Sequence, residues 1–226
     1  SFMTTKVLNS SAFYGRVDVT IHLQGFRLAE TARMLPKRGT QEILDAQCFT
    51  GGVPKYLELL SSGSSIAQSM NDEAFRANGY FVAEYERIFT SHFGWNDEFQ
   101  RLIRALAAAP YGLNRRDLAA AAAVDEGGML SQRLYDLEAA GFISSQRPFD
   151  KGHETRLLRY HLSDPWISFY HAFMRTRLKQ IREGTRRDLF NAIRQTGAFR
   201  SWMGRAFELV CMRHSDHIAQ DRKSVV

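Results

Sequence analysis

Gly51, Gly52, Val53 and Pro54, flanked by helix-like runs in "ILDAQCFTGGVPKYLELL", are the first residues whose type and spacing suggest chemistry. Two adjacent glycines permit positive φ and let the backbone approach another group closely, while Pro54 suits the first turn of the helix "KYLELL". A helix start is also where unpaired N–H groups can meet an anion or a nucleotide. Glycines serve turns before they serve ligands, so a plain corner between two helices is the competing reading.

A second set of residues suits nucleic acid. Ser131, Gln132 and Arg133 share one helical segment, Arg115 and Arg116 open the segment before it, and Arg147, Lys151, His153 and Arg156 lie in and around a polar loop. Such side chains reach base edges and phosphates. Asp136 and Glu138 on the same segment, with Asp125 and Glu126 at its entrance, dilute the positive field. The alternative is therefore a surface that docks protein. The densest basic run, Arg175, Arg177, Lys179, Arg182, Arg186 and Arg187, contains Glu183 and ends at Asp188, which favours a solvated helix end over a nucleic-acid groove. Cys211, His214 and His217 recur every three residues, but that spacing drifts around a helix and lacks a fourth ligand, so no zinc site is expected. No Ser-His-Asp or Cys-His arrangement stands out among the 7 histidines.

The elements that must position these residues follow from periodicity. "YGRVDVTIHLQGF" alternates Val17, Val19, Ile21 and Leu23 with polar residues and predicts a strand over residues 14–26. Helices are predicted over residues 27–36, ended by Pro36, and over 41–49 with Thr40 as N-cap. "SSGSS" reads as a flexible break, and residues 74–93 carry Phe75, Phe81, Tyr85, Ile88 and Phe89 at helical spacing, up to a boundary near Gly94. From Asn96 the pattern is three helices and a hairpin. Phe99, Leu102, Ile103 and Leu106 mark the first helix, "LNRRDLAAAAAV" the second, and "MLSQRLYDLEAAG" the third, with Met129 or Leu130, Leu134 and Leu137 inward and Gly141 at its end. "FISSQRPF" and "TRLLRYHLSD" supply two strands around the polar loop 150–154, giving a winged helix-turn-helix. A single helix, aromatic then basic, is expected from Asp164 to Leu189. A last amphipathic helix carries Phe199, Trp202, Met203, Ala206, Phe207, Val210 and Cys211 on one stripe, with its partner layer expected to be missing from the chain.

Composition bounds the rest. The 226 residues are 44% hydrophobic and 12% aromatic, enough for a substantial core. No apolar run is long enough to span a bilayer, "SFMTTK" lacks the apolar stretch of a signal peptide, and Cys48 and Cys211 form no disulfide framework. A cytoplasmic protein with no membrane partner is the expectation. A net charge of +6 permits a nucleic-acid partner without requiring one. The chain opens on Ser1 with its first methionine at Met3. It closes on "DRKSVV", which interrupts an amphipathic pattern and is the in-frame translation of a common short-read sequencing adapter. Truncation at both ends and a non-native tail over residues 221–226 are expected.

The order "FYGR", the strand ending in "LQGF", "LAETARML" and "FTGGVPKYLELL" resembles the lid segment of prokaryotic AAA+/STAND-type P-loop ATPases of the archaeal-type family. "YFVAEYERIFTSHFG" and the segment ending in "YHLSDPWISFYHAFM" are similar to that family's middle region, and "FRSWMGRAFELVC" to the start of its PD-(D/E)xK nuclease-like C-terminal domain. The resemblance implies a mainly α fold with a small β component: a helical lid fragment, a winged helix-turn-helix and further helices. It implies that residues 1–26 end the ATPase core, 27–93 form the lid region, 94–164 the winged helix, 165–198 a linking helix and 199–220 the first helix of a truncated nuclease-like domain. It further implies ATP and Mg as cofactors of the full-length protein, Gly51, Gly52 and Pro54 against the nucleotide, and Arg16 near phosphate; a merely solvated Arg16 is the alternative.

The chain departs from the family where catalysis resides. It contains no G-x-x-x-x-G-K-[ST] motif and no apolar strand ending in paired acids, so it is not expected to hydrolyse ATP by itself. Glu208 matches one acidic residue of the nuclease-like domain, but the remaining metal ligands are missing. The expected role is the C-terminal part of a nucleotide-dependent switch, with DNA, a protein partner or self-association through the winged helix. A stand-alone winged-helix DNA-binding regulator is the rival reading.

Overall fold

The computed structural model describes residues 12, 16, 18, 19, 21, 23–94, 96–147, 157–185, 188–216 and 219. The chain is mainly α-helical with one small antiparallel sheet. In order come helices α1 (Leu28–Met34), α2 (Thr40–Thr50), α3 (Pro54–Ser61), α4 (Ile66–Phe75), α5 (Glu84–Phe93) and α6 (Asp97–Ala107). Strand β1 (Leu113–Asn114), helices α7 (Arg115–Ala122) and α8 (Gly128–Ala139), and strands β2 (Ile143–Gln146) and β3 (Arg159–Leu162) follow. Helices α9 (Pro165–Phe169), α10 (Leu178–Glu183), α11 (Leu189–Arg194) and α12 (Gly197–Arg213) complete the series.

Two compact units share these elements. One comprises Ser1–Leu23 and Ala83–His171, the other Gln24–Val82 and Ala172–Val226. The division falls elsewhere than the expected limits at residues 94, 165 and 199. Sequence periodicity marks the ends of elements, whereas packing decides which elements share a core, and here the C-terminal helices join those of residues 24–82.

In the all-helical unit the core forms around Phe49 on α2. Its ring stacks on Trp202 of α12 at 5.8 Å and meets Phe190 of α11 edge-on at 5.8 Å, while Phe75 of α4 stacks on Phe190 at 5.5 Å. Leu57, Leu60, Met70 and Ala74 are fully buried below them. The Ser61–Ser65 break is tied down rather than loose: the Arg38 guanidinium donates to the carbonyls of Ser61, Gly63 and Ser64, the last at 2.7 Å. Ser65 then caps α4 by accepting from the Gln68 N–H.

In the other unit, α6 and α8 bury Phe99, Leu102, Ile103, Leu106, Leu130, Leu134 and Leu137, as expected from spacing, and α7 adds Leu118. The choice between Met129 and Leu130 is resolved: Leu130 is buried and Met129 faces outward. Asn96 and Asn114 cap α6 and α7 by accepting from the N–H groups of Glu98 and Asp117. Strand β3 lies between β1 and β2, antiparallel to both, with Leu113 opposite Tyr160 and Ile143 opposite Leu162. The two-residue β1 is too short to show a period and escaped the sequence reading. Gly141, at φ +78, turns the chain from α8 into β2.

Several expectations are corrected. The described residues of the 14–26 segment lie in no strand, and Val19, Ile21 and Leu23 are 75%, 76% and 88% exposed. Alternation marks a segment suited to a sheet edge, but a strand needs a partner, and among the described residues none pairs with it. Gly39, not Thr40, caps α2. The run 74–93 breaks into the end of α4, a 3-10 turn at Tyr80–Val82 and α5. Gly79 permits this break, because a Cβ there would collide with the Glu73 carbonyl. The long helix expected after Asp164 is α9, a π-turn at Tyr170–Met174, a 3-10 turn at Arg175–Arg177, α10 ended by Gly184, and α11. The partner layer of α12 is present: α2 and α11 cover Phe199, Trp202, Ala206 and Val210, leaving Phe207 outside at 45% exposure.

Candidate functional site

The Gly51-Gly52 corner is a close crossing of backbone on backbone. Helix α2 ends with Gly51 in the left-handed region at φ 61, Gly52 follows at φ 80, and Val53 returns to extended geometry so that Pro54 can open α3. The Gly52 carbonyl accepts from the Phe26 N–H at 2.7 Å, and a Cβ on Gly52 would collide with the Phe26 backbone. A Cβ on Gly25 would likewise collide with the Gly51 carbonyl. Three glycines thus let two chain segments touch without side chains between them. Gly51 and Gly52 are buried, whereas Pro54 and Lys55 are exposed on the outer side of the corner.

Polar side chains that spacing did not reveal hold this crossing. Thr31 donates its hydroxyl to Gln47 Oε1 at 2.5 Å, and Gln47 donates its amide to the Phe26 carbonyl at 2.9 Å; both residues are buried. Thr50 accepts from the Gly52 N–H at 3.2 Å. From α12, Arg213 donates to the Gly51 carbonyl at 3.2 Å, and His214 Nε2 accepts from the Leu28 N–H at 2.9 Å. Gly25 in "LQGF" could have signalled the crossing as a third glycine; Arg213 and His214 carried no signal, because their partners lie 162 and 186 residues away.

The second candidate set is only partly available to a ligand. Arg133 is turned inward, its side chain 14% exposed and ion-paired with Glu98 of α6. Arg115 donates to Ser131 Oγ at 2.9 Å and to the carbonyls of Glu126 and Gly127, fastening the start of α7 to the start of α8. Gln132 is exposed and donates to Asp136 at 3.0 Å. Arg116 and Arg147 are exposed, while Lys151, His153 and Arg156 lie outside the described residues. The outward face of α8 thus carries Gln132 and Asp136 between Met129 and Tyr135, which are 64% and 60% exposed. On β3, burial pushes the His161 imidazole below the ordinary histidine value, with Arg159 adding to the effect.

Arg16 is exposed and in no regular element. Glu208 is exposed on α12, and no group of three metal-ligating side chains occurs among the described residues. Both ring nitrogens of His214 are engaged, Nδ1 donating to the Val210 carbonyl at 2.7 Å, so neither is free for a metal. His217, Arg186, Arg187 and the 221–226 tail lie outside the described residues. Burial raises the Cys48 thiol to about 12. In native protein a maleimide is therefore expected to label half-buried Cys211 and spare Cys48 until denaturant is added, as mass mapping of labelled peptides will report. Equal labelling of both cysteines would contradict the packing of α2.

No helix among the described residues is long and apolar enough to cross a membrane. No family model matches the chain, and no solved structure matches it. The chain is similar to the uncharacterized protein MJECL04 of Methanocaldococcus jannaschii, with 23% identity over 212 residues that cover 93% of this chain and 46% of that protein. The chain therefore spans just under half the length of that relative.

Proposed function

We propose that this chain is part of a larger P-loop ATPase of the AAA+/STAND-like, archaeal-type group, in which it works as the lid and effector end of a nucleotide-dependent switch. The observation that carries the reading is the Gly51-Gly52 corner. Its carbonyls are fixed by Phe26 and Arg213, and it holds Pro54 outward at the start of α3. Such a preorganised corner suits contact with a nucleotide bound by another domain. The similarity to MJECL04 supports a longer protein, since more than half of that relative lies outside the match and leaves room for a domain with the phosphate-binding loop and its Mg ion. ATP hydrolysis would shift the lid and, with it, the elements that follow.

Within this proposal the region from α6 to β3 is a winged helix, supported by three helices and a sheet of order β1-β3-β2. A protein contact suits its exposed helix better than DNA. Arg133 is committed to Glu98, and Met129, Tyr135 and Asp136 occupy the outward face. Among the described residues, the stand-alone DNA regulator rests on Arg116 and Arg147. It predicts DNA affinity that falls steeply with salt and drops in an Arg116→Ala/Arg147→Ala variant, whereas the switch reading expects neither.

The test starts from the source locus. Sequence upstream of the Ser1 codon is expected to encode G-x-x-x-x-G-K-[ST] in frame, and the longer protein is expected to bind a fluorescent ATP analogue. Pro54→Ala, on the exposed side of the corner, should weaken that binding about tenfold, or ~1.4 kcal/mol, without unfolding the chain. A natural start codon near Met3, or unchanged nucleotide affinity in Pro54→Ala, would sink the proposal.

A further inference from the structure

We propose that His214 and Arg213 form a proton-sensitive latch that locks the end of α12 onto the Gly51-Gly52 crossing when His214 is neutral and releases it when the ring gains a second proton. The latch stands on geometry within one compact unit and does not depend on the nucleotide reading. His214 Nδ1 lies 2.7 Å from the Val210 carbonyl, an acceptor only, so this nitrogen must carry the hydrogen. Nε2 lies 2.9 Å from the Leu28 N–H, a donor only, so this nitrogen must present its lone pair. Only the neutral Nδ1–H tautomer satisfies both partners. A proton added at Nε2 would turn an acceptor into a donor facing the Leu28 N–H, and that bond would be lost.

The bond sits where its loss has consequences. Leu28 opens α1 one residue beyond Arg27 and two beyond Phe26, whose N–H is bonded to the Gly52 carbonyl. Arg213, beside the histidine, holds the neighbouring Gly51 carbonyl. Two consecutive residues at the end of α12, Arg213 and the His214 that follows it, therefore grip both segments of the same crossing. The locked form requires the neutral ring, and a second proton on it removes the bond to Leu28. Charged groups on the elements packed here include Arg27 just before α1, Glu30 and Arg33 on α1, Glu42 and Asp45 on α2, Arg205, Glu208 and Arg213 on α12, and Asp216 after it. Glu30 accepts from the Arg27 N–H. Asp45 is the competing acid-range group, because burial pushes its carboxyl above the ordinary value.

The test is backbone amide exchange of the full chain by NMR, corrected for the intrinsic pH dependence of exchange and followed at Leu28 and Phe26 from about pH 8 to about pH 5. In the wild type, protection at Leu28 is expected to fall at least about tenfold toward acid, the loss of one part-buried hydrogen bond. His214→Gln can accept from Leu28 but cannot titrate, and should keep its protection throughout. His214→Phe should be unprotected at both ends of the range, and Asp45→Asn should follow the wild type. Flat wild-type protection overturns the latch. So does a His214→Gln variant that loses protection as the wild type does, or an Asp45→Asn variant that abolishes the pH dependence. Unchanged α-helical circular dichroism separates release of the latch from global unfolding.

Discussion

Gly52→Ala is expected to destabilise the helical unit by roughly 3 kcal/mol or more, a large share of the 5–15 kcal/mol that typically holds a domain. Two effects add. Alanine at φ 80 leaves the conformations open to a side chain, and the new Cβ would overlap the Phe26 carbonyl, which belongs to backbone and cannot rotate aside. Relief would require parting the two segments, which breaks the bond from the Phe26 N–H and uncovers the Gln47 and Thr31 side chains below. Gly51→Ala, at φ 61, should cost less, about 1 kcal/mol, because the left-handed region tolerates a lone alanine. Urea unfolding curves measure both. A Gly52→Ala protein as stable as the wild type would mean that the chain does not cross itself at this corner. The contrast with Pro54→Ala is useful: the buried glycines report on folding, and the exposed proline tests the proposed nucleotide contact.

Phe49→Ala should cost about 3–5 kcal/mol, the range for removing a large aromatic ring from a packed core. The ring lies between Trp202 at 5.8 Å and Phe190 at 5.8 Å, so its loss opens a cavity where α2, α11 and α12 meet. Trp202 reports the event, since its indole stacks on that ring and should become more exposed and red-shifted in emission. A cost below about 1 kcal/mol would indicate that α12 is not integral to this unit, as the sequence had led us to expect.

Much of the local structure was legible because it depends on near neighbours. Pro54 at the first turn of α3, Asn96 before α6 and the spacing of Phe99, Leu102, Ile103 and Leu106 all act within a few residues, and each appears where periodicity and capping chemistry put it. Misjudged segments involve partners distant in sequence. Residues 14–26 have the pattern of a strand, yet the described residues offer no partner strand. Arg133 has the position of a base reader, yet a carboxylate 35 residues earlier on α6 claims it. The aromatic stretch from Trp166 to Phe173 reads as one helix in the sequence, and its passage through a π-turn is invisible there, because helical irregularity leaves little trace in hydrophobic period.

By itself the sequence determined that the chain is mainly helical with a small sheet, that its apolar residues suffice for a core, and that Gly51 and Gly52 mark a place of close approach. These follow from backbone sterics, capping and the periods of helix and strand, all local properties of the polypeptide. Only the tertiary structure decided what approaches the glycines, namely the backbone of Gly25 and Phe26, and which side chains secure the crossing. It also decided that α12 returns to cover Phe49 and that Arg213 and His214 end beside residues more than 160 positions earlier. Those outcomes depend on which apolar faces bury each other and which polar groups are left for distant partners to satisfy, a balance set by the whole packed chain rather than by any stretch of it.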